Sequence, residues 1–242
     1  MTAPVFLTED VSGDRIVLTG PEGHHAAKVR RLRVGEPVDV VDGRGTRASC
    51  TVAEVGRDEV TLDVLGRTTE PPSSPRLVLV QALAKGDRGE FAVELATEVG
   101  IDEIVPWSAA RCVVRWEGER GEKALARWRS TAREAGKQSR RAWLPEVRPL
   151  HSTRQLLDLV RAADATLVLH ESAADPLATV DLPDEGQVLL LVGPEGGLTD
   201  EEIAELTEAG AAVVRLGASV LRTSTAGAAA AAVVSARTAR WR

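Results

Sequence analysis

Over the first seventy residues the apolar positions come in short runs, at 15–19, 38–41, 48–55 and 60–65, separated by Gly35, Asp42-Gly43 and Gly56. Short apolar runs between turn residues predict strands, and several in succession predict a small β-barrel. Residues 21–32 break that rhythm and read as a loop or short helix carrying His24, His25, Lys28, Arg30 and Arg31. The stretch TTEPPSSP (68–75) has three prolines, four hydroxyl residues and one charge, and reads as a linker. Beyond it the rhythm changes. Apolar runs at 77–80, 103–106, 165–169, 188–192 and 212–216 look like buried parallel strands, and helical patterns lie near 87–99, 120–139, 153–163, 199–209 and 223–240. Such alternation predicts an α/β fold, an open and mostly parallel sheet covered on both faces. The chain therefore divides into a small β domain, 1–72, and an α/β domain, 73–242.

Composition narrows the class. The 242 residues are 43% hydrophobic and 27% charged, an ordinary globular balance. The longest run of apolar or small residues, 226–234, falls far short of the roughly 20 residues that span a bilayer. Met1-Thr2-Ala3-Pro4 has neither the basic nor the apolar region of a secretory signal, so no membrane partner and a cytoplasmic location are expected. Cys50 and Cys112 stand alone, which excludes a disulfide scaffold and a cysteine-rich zinc site, and no metal is expected.

The net charge of −6 argues against a nucleic-acid partner only as an average. Residues 73–150 carry 14 basic and 11 acidic side chains, and within 111–148 the ratio is 11 to 5. Phosphate binding depends on such local cations. Only four of the 30 basic residues are lysines, and guanidinium is the better fork for phosphate. The absence of Tyr and the presence of only two Phe argue against a base-stacking sheet of the RRM type, so any RNA is expected to be held by arginine and shape.

Two predicted strand ends carry unusual loops. The first is GPEGGL (193–198), followed by TDEE (199–202), where Thr199 and Glu202 form a capping box that starts a helix. Three glycines in five residues let a flat ligand approach the main chain, although a tight strand-to-helix turn reads equally well. The loop matches neither GxGxxG nor a P-loop, and Glu195 would repel a pyrophosphate. A cationic or neutral polar ligand fits better, such as a sulfonium or an adenine. The second loop, GASVLRTST (217–225), precedes an Ala-rich helix that Thr223 or Ser224 can N-cap. That helix suits either the core or close packing against a second subunit. Arg222 precedes this apolar helix, where a buried guanidinium needs partners.

At these loops, LLLVGPEGGLTDEEI (189–203) and LGASVLRTSTA (216–226) resemble the SPOUT-type RNA methyltransferases, and most closely the RsmE family of 16S ribosomal RNA uridine N3-methyltransferases. KGDRGEFAVELATEVGIDEIVPW (85–107), EAGKQSRRAWLPEV (134–147) and GHHAAKVRRLRVGE (23–36) resemble further family segments, the last two matching the patterns EAxxQSxRxxxP and HHxxxVLRxxxGD. The resemblance implies a PUA-like β-barrel followed by a trefoil-knotted α/β methyltransferase domain. It implies S-adenosyl-L-methionine held by three loops: Leu169, His170 and Glu171; Val192, Gly193, Pro194, Glu195, Gly196 and Gly197; Leu216, Gly217, Ser219, Val220, Leu221 and Thr223. It also implies a homodimer acting on 16S rRNA within the small ribosomal subunit. The chain departs from the family pattern at Arg30 (usually leucine), Gly89 (methionine), Leu95 (lysine), Ser219 (arginine) and Ser224 (glutamate).

Uracil N3 must lose its proton to attack a methyl group, and negative charge then spreads onto O2 and O4. N3 lies on the pairing edge, so the base must be unpaired or flipped out. Arg222 is the candidate charge stabiliser, and Glu195 a candidate proton acceptor or loop-orienting residue. With Ser224 in place of glutamate, a base at that position is excluded. Candidate RNA contacts are Arg30, Arg31 and Arg33 on the small domain, with Lys85, Arg88, Arg111, Arg140 and Arg141 on the large one. His24 and His25, adjacent on an extended segment, face opposite ways and do not make a metal pair. Trp116, Trp128 and Trp143 lie in the basic stretch, where core filling is the default reading and packing that stretch down the alternative. Two other readings stand beside this one: a SPOUT enzyme acting on tRNA ribose 2′-oxygen, and a silent RNA-binding ribosome assembly factor.

Overall fold

The structure, a computed structural model, describes residues 3–241. Met1 and Thr2, on which the expectation of no leader partly rests, lie outside the described residues. The described residues form two units: those up to residue 72 together with 136–144, and 73–135 together with those from 145 on.

In the first unit, β1 (Val5–Leu7), β2 (Arg15–Leu18), β3 (Pro37–Val41), β4 (Thr46–Val55) and β5 (Val60–Thr69) form one sheet in the order β1-β3-β4-β5-β2. β1 runs parallel to β3 and the other pairs are antiparallel. Two register shifts between β4 and β5, at Ser49/Cys50 and Val52/Glu54, bend the ladder as bulges do. Alternate residues such as Ile16, Leu18, Val38, Val40 and Leu62 point into a core with Phe6. β5 runs past the apolar stretch to Thr69, because backbone bonding to β4 carries it on where the side chains have become polar. β1, only three residues long, carries too little alternation to be read from sequence.

Most of the segment 21–32 is helical: α1 (Gly20–His24) continues into a π turn (His25–Val29), and residues 30–32 leave it. This corrects the extended placement of the two histidines. His24 is exposed and meets Asp58 at 3.0 Å, while His25 packs edge-on against Phe6.

Residues 136–144 join this unit rather than the α/β domain that the sequence assigns them to. Gly45 N–H donates to Ala142 O and Leu144 N–H to Gly43 O, both at 3.0 Å, while Trp143 Nε1–H donates to Glu70 O at 2.8 Å. Gly45 (φ +102°) has to be glycine, since a Cβ there would lie 2.6 Å from the Trp143 ring. Ala142 is buried with Val5 and Val41.

The second unit holds β6 (Arg76–Ala82), α2 (Arg88–Glu98), β7 (Glu103–Ser108), most of α3 (Gly118–Gln138), β8 (Glu146–Val147), β9 (His151–Ser152), α4 (Thr153–Ala162), β10 (Ala165–Leu169), β11 (Asp175–Pro176), β12 (Gln187–Val192), α5 (Asp200–Glu208), β13 (Ala212–Arg215) and α6 (Thr223–Arg237). Its sheet is parallel throughout, ordered β11-β13-β10-β12-β6-β7-β8, with β9 paired to β7. β6 and β12 are buried along nearly their whole length, as strands covered on both faces must be. α6 lays its alanines against α2, β6 and β12. β8, β9 and β11 are two-residue strands without a period. Among the described residues, no helix is long and apolar enough to cross a membrane.

Candidate active site

Strand order brings the chemistry together. β13, β10, β12 and β6 are successive neighbours, all parallel, so the loops that leave their C-terminal ends share one edge of the sheet. Ligands of open α/β sheets bind at such edges. A cavity of about 310 Å3 lies there, lined by Leu169, His170, Glu171, Val192, Gly193, Pro194, Glu195, Gly197, Leu198, Val220, Leu221, Arg222, Thr223, Ala226 and Arg88. A second recess of about 70 Å3 shares six of these residues and adds Arg215, Leu216, Gly217 and Ser219. Small-ligand sites typically begin at about 300 Å3.

Among the loop residues singled out from sequence, Gly196 borders neither space. It faces Arg111, whose Cβ would lie 3.1 Å from a Cβ at that position. Arg111 Nη1–H donates to Gly196 O at 3.3 Å and to Leu198 O at 3.0 Å. An arginine read as an RNA contact thus anchors the glycine loop. The other end of the loop is held by α5. Glu202, 5% exposed, accepts from Thr199 N–H in the capping box, from Ala110 N–H at 2.8 Å and from the Thr153 hydroxyl at 3.2 Å.

Glu195 is committed to structure. Its Oε1 accepts from Lys85 N–H at 3.1 Å and from Arg88 Nη1–H at 3.2 Å. Partial burial pushes the carboxyl up. Hydrogen bonds from its own N–H, from Lys85 N–H and from the Arg88 guanidinium outweigh that, leaving it below the ordinary carboxylate range. A carboxylate so held is a weak proton acceptor and a good tie between two loops.

Thr223 does not cap α6 with its side chain. The N-cap is Arg222, and the Thr223 hydroxyl instead donates to Gly193 O at 2.8 Å while accepting from Gln81 Nε2–H at 2.9 Å. Gln81 is fully buried at the end of β6, and its Oε1 has no hydrogen-bond partner. Arg222 is exposed, which corrects its expected burial. The apolar side of α6 turns inward, and the N-cap residue before it points to the cavity rim. Among the described residues its guanidinium has no hydrogen-bond or ion-pair partner. Val220 and Leu221 on the same rim are also exposed. Ser224, by contrast, is 4% exposed.

Sequence reasoning missed Leu198, Arg215 and Ala226 in the lining, and it placed Arg88 with the RNA contacts. The signal for Arg88 was present: KGDRG follows a buried strand and so belongs to the same sheet edge. Of the other cationic candidates, Arg30, Arg31, Arg33 and Lys85 are exposed. Arg140 and Arg141 lie in the first unit, with the segment that docks there, and not on the α/β domain. Trp128 is buried edge-on against Trp116, and Trp143 belongs to the docked segment.

Residues 71–235 match the model of the RNA methyltransferase domain family, and residues 18–65 match the RNA methyltransferase PUA domain. Over the whole chain the sequence is 46% identical to the ribosomal RNA small subunit methyltransferase E of Mycobacterium bovis, covering 94% of that protein. It is 34% identical to the protein of the same name from Bacillus subtilis, over 86% of this chain and 85% of that one. The crystal structure of a ribosomal RNA small subunit methyltransferase E from Neisseria gonorrhoeae, bound to S-adenosyl methionine, superposes with a TM-score of 0.86 at 29% identity, covering 98% of each chain. With one family model matched over most of the α/β unit and a full-length relative at nearly half identity, the chain belongs to the RsmE family of ribosomal RNA small subunit methyltransferases.

Proposed function

We propose that this protein methylates N3 of a uridine in 16S rRNA of the small ribosomal subunit, with S-adenosyl-L-methionine as donor. The reading rests on the cavity at the ends of β10, β12 and β13 and the unpaired guanidinium of Arg222 on its rim. The lining suits that donor. Leu169, Val192, Leu198 and Ala226 make an apolar wall for a flat ring, and Glu171, Glu195 and Arg88 bring both signs of charge for a zwitterionic end. The donor supplies an electrophilic methyl group on a sulfonium.

The residues of the chain divide the remaining work. Gly193 and Gly197 let the main chain approach closely, and Thr223 and Arg111 hold that loop in place. Holding donor and nucleophile in line supplies a large part of such catalysis. Arg222 faces the charge that grows on O2 and O4 once N3 has lost its proton. Glu195 is too weak a base for that proton and Ser224 has none to offer, so it leaves to water. In the same reading the first unit is a PUA-like barrel that holds RNA, the second is a trefoil-knotted SPOUT domain, and the chain acts as a cytoplasmic homodimer without a metal.

Mass spectrometry of rRNA from a strain lacking the gene is expected to show N3-methyluridine missing from the small subunit. Loss of a ribose 2′-O-methyl group from tRNA instead overturns the assignment. Arg222→Ala is expected to lower kcat on the order of 100-fold, the scale of one lost charge-stabilising donor, with cofactor affinity by calorimetry little changed. Unchanged turnover removes the role given to Arg222.

A further inference from the structure

The first unit carries a recess of its own. About 180 Å3 in volume, it is bordered by Phe6, His25, Arg30, Lys137, Gln138 and Arg140, which come from β1, the π turn and the residue that caps it, and the last residues of α3 with those just after it. That volume falls below the roughly 300 Å3 at which small-molecule sites begin, so the recess suits one group of a larger ligand.

Its charge is positive and unspent. Lys137 is neutralised, since its buried ammonium meets Glu22 Oε1 at 2.7 Å. Arg30 and Arg140 are exposed, and among the described residues neither guanidinium has a hydrogen-bond or ion-pair partner. No carboxylate borders the recess. Arg140 is held in place: its backbone adopts φ +58°, a region L residues rarely enter, and its carbonyl accepts from Arg47 Nη2–H at 2.8 Å. His25, half-buried against Phe6, and the exposed Gln138 add neutral polar groups beside the two cations. Both arginines are this chain's own: the pattern HHxxxVLR has leucine at the place of Arg30, and QSxR leaves the place of Arg140 open.

We propose that this recess clamps one phosphodiester of the RNA substrate, with Arg30 and Arg140 on its nonbridging oxygens and Gln138 and His25 beside the adjoining nucleotide. Two unpaired guanidiniums bordering one recess that no carboxylate lines are an arrangement suited to phosphate oxygens. The inference rests on the function proposed above. The clamp holds the substrate and takes no part in methyl transfer.

The test compares wild type, the double variant Arg30→Leu/Arg140→Ala, and Arg57→Ala, which removes an exposed arginine of the same unit outside the recess. Binding of unmodified 16S rRNA is measured over a salt series, together with kcat, KM, cofactor affinity and Tm. The double variant is expected to lose about tenfold in rRNA affinity and to flatten the salt dependence by about one to two counterions, as lost phosphate contacts do. KM for RNA rises in parallel, while kcat, cofactor affinity and Tm stay at wild-type values and Arg57→Ala behaves as wild type. A double variant with wild-type affinity and salt slope overturns the clamp, as does an equal loss in Arg57→Ala or a loss of Tm or cofactor affinity. Wild-type protein that binds no rRNA defeats the parent reading and the clamp together. Wild-type binding matched by the double variant defeats the clamp alone.

Discussion

Glu195 shows how little a residue type says before its partners are known. From sequence it was a candidate base, because a carboxylate in a glycine loop at a strand end can accept a proton. In the structure it accepts from Lys85 and Arg88, and these bonds hold its pKa down against the opposing effect of burial. A folded pKa below the ordinary value means the ionised group stabilises the fold above the normal carboxylate range, and that contribution is lost as pH falls through the lowered value. Wild type is therefore expected to melt above Glu195→Gln at neutral pH, with the gap closing as pH falls through and below the ordinary carboxylate range. Calorimetry over a pH series checks this, and a gap that grows on acidification contradicts the tie. Arg111 teaches the same lesson in reverse. As a type it suggested phosphate, yet its guanidinium is occupied by two carbonyls of the glycine loop.

Elements were legible where side-chain period and capping chemistry coincide. Thr199 and Glu202 announced α5, and both halves of that box are formed. The start of α6 was legible, but the work of Thr223 was not, since its partners Gln81 and Gly193 lie 142 and 30 residues away. Thr223→Val keeps the shape and deletes the hydroxyl, leaving the Gly193 carbonyl without that donor and the buried Gln81 amide short of an acceptor. A loss of about 1–3 kcal/mol in urea unfolding is expected, the cost of stranding buried polar groups, together with weaker cofactor binding. A variant as stable as wild type would show that the link from α6 to the glycine loop carries no energy.

For the whole molecule, the one large difference from the sequence reading is the segment 136–144, separated from its unit by more than sixty residues of chain. Its attachment uses main-chain bonds to Gly43 and Gly45 and the indole of Trp143 on Glu70 O. A chain starting at residue 73 lacks every one of those partners. Trypsin is expected to cut that fragment after Arg140 or Arg141 several-fold faster than the full chain, since cleavage follows local opening. Equal rates would show that the segment holds its conformation unaided. The same docking brings Arg140, from the basic stretch 111–148, beside Arg30 in one recess.

Sequence by itself determined the two kinds of architecture, the longer strands and helices, the glycine loop and the family, because period, turn residues and short motifs are local properties of the chain. Only the tertiary structure decided which loops share an edge, that Arg88 lines the cavity while Arg111 supports it, that Arg222 is free while Glu195 is bound, and that residues 136–144 belong with the first unit. Each of these depends on hydrogen bonds and charges between residues far apart in the chain, and no local pattern encodes such pairings.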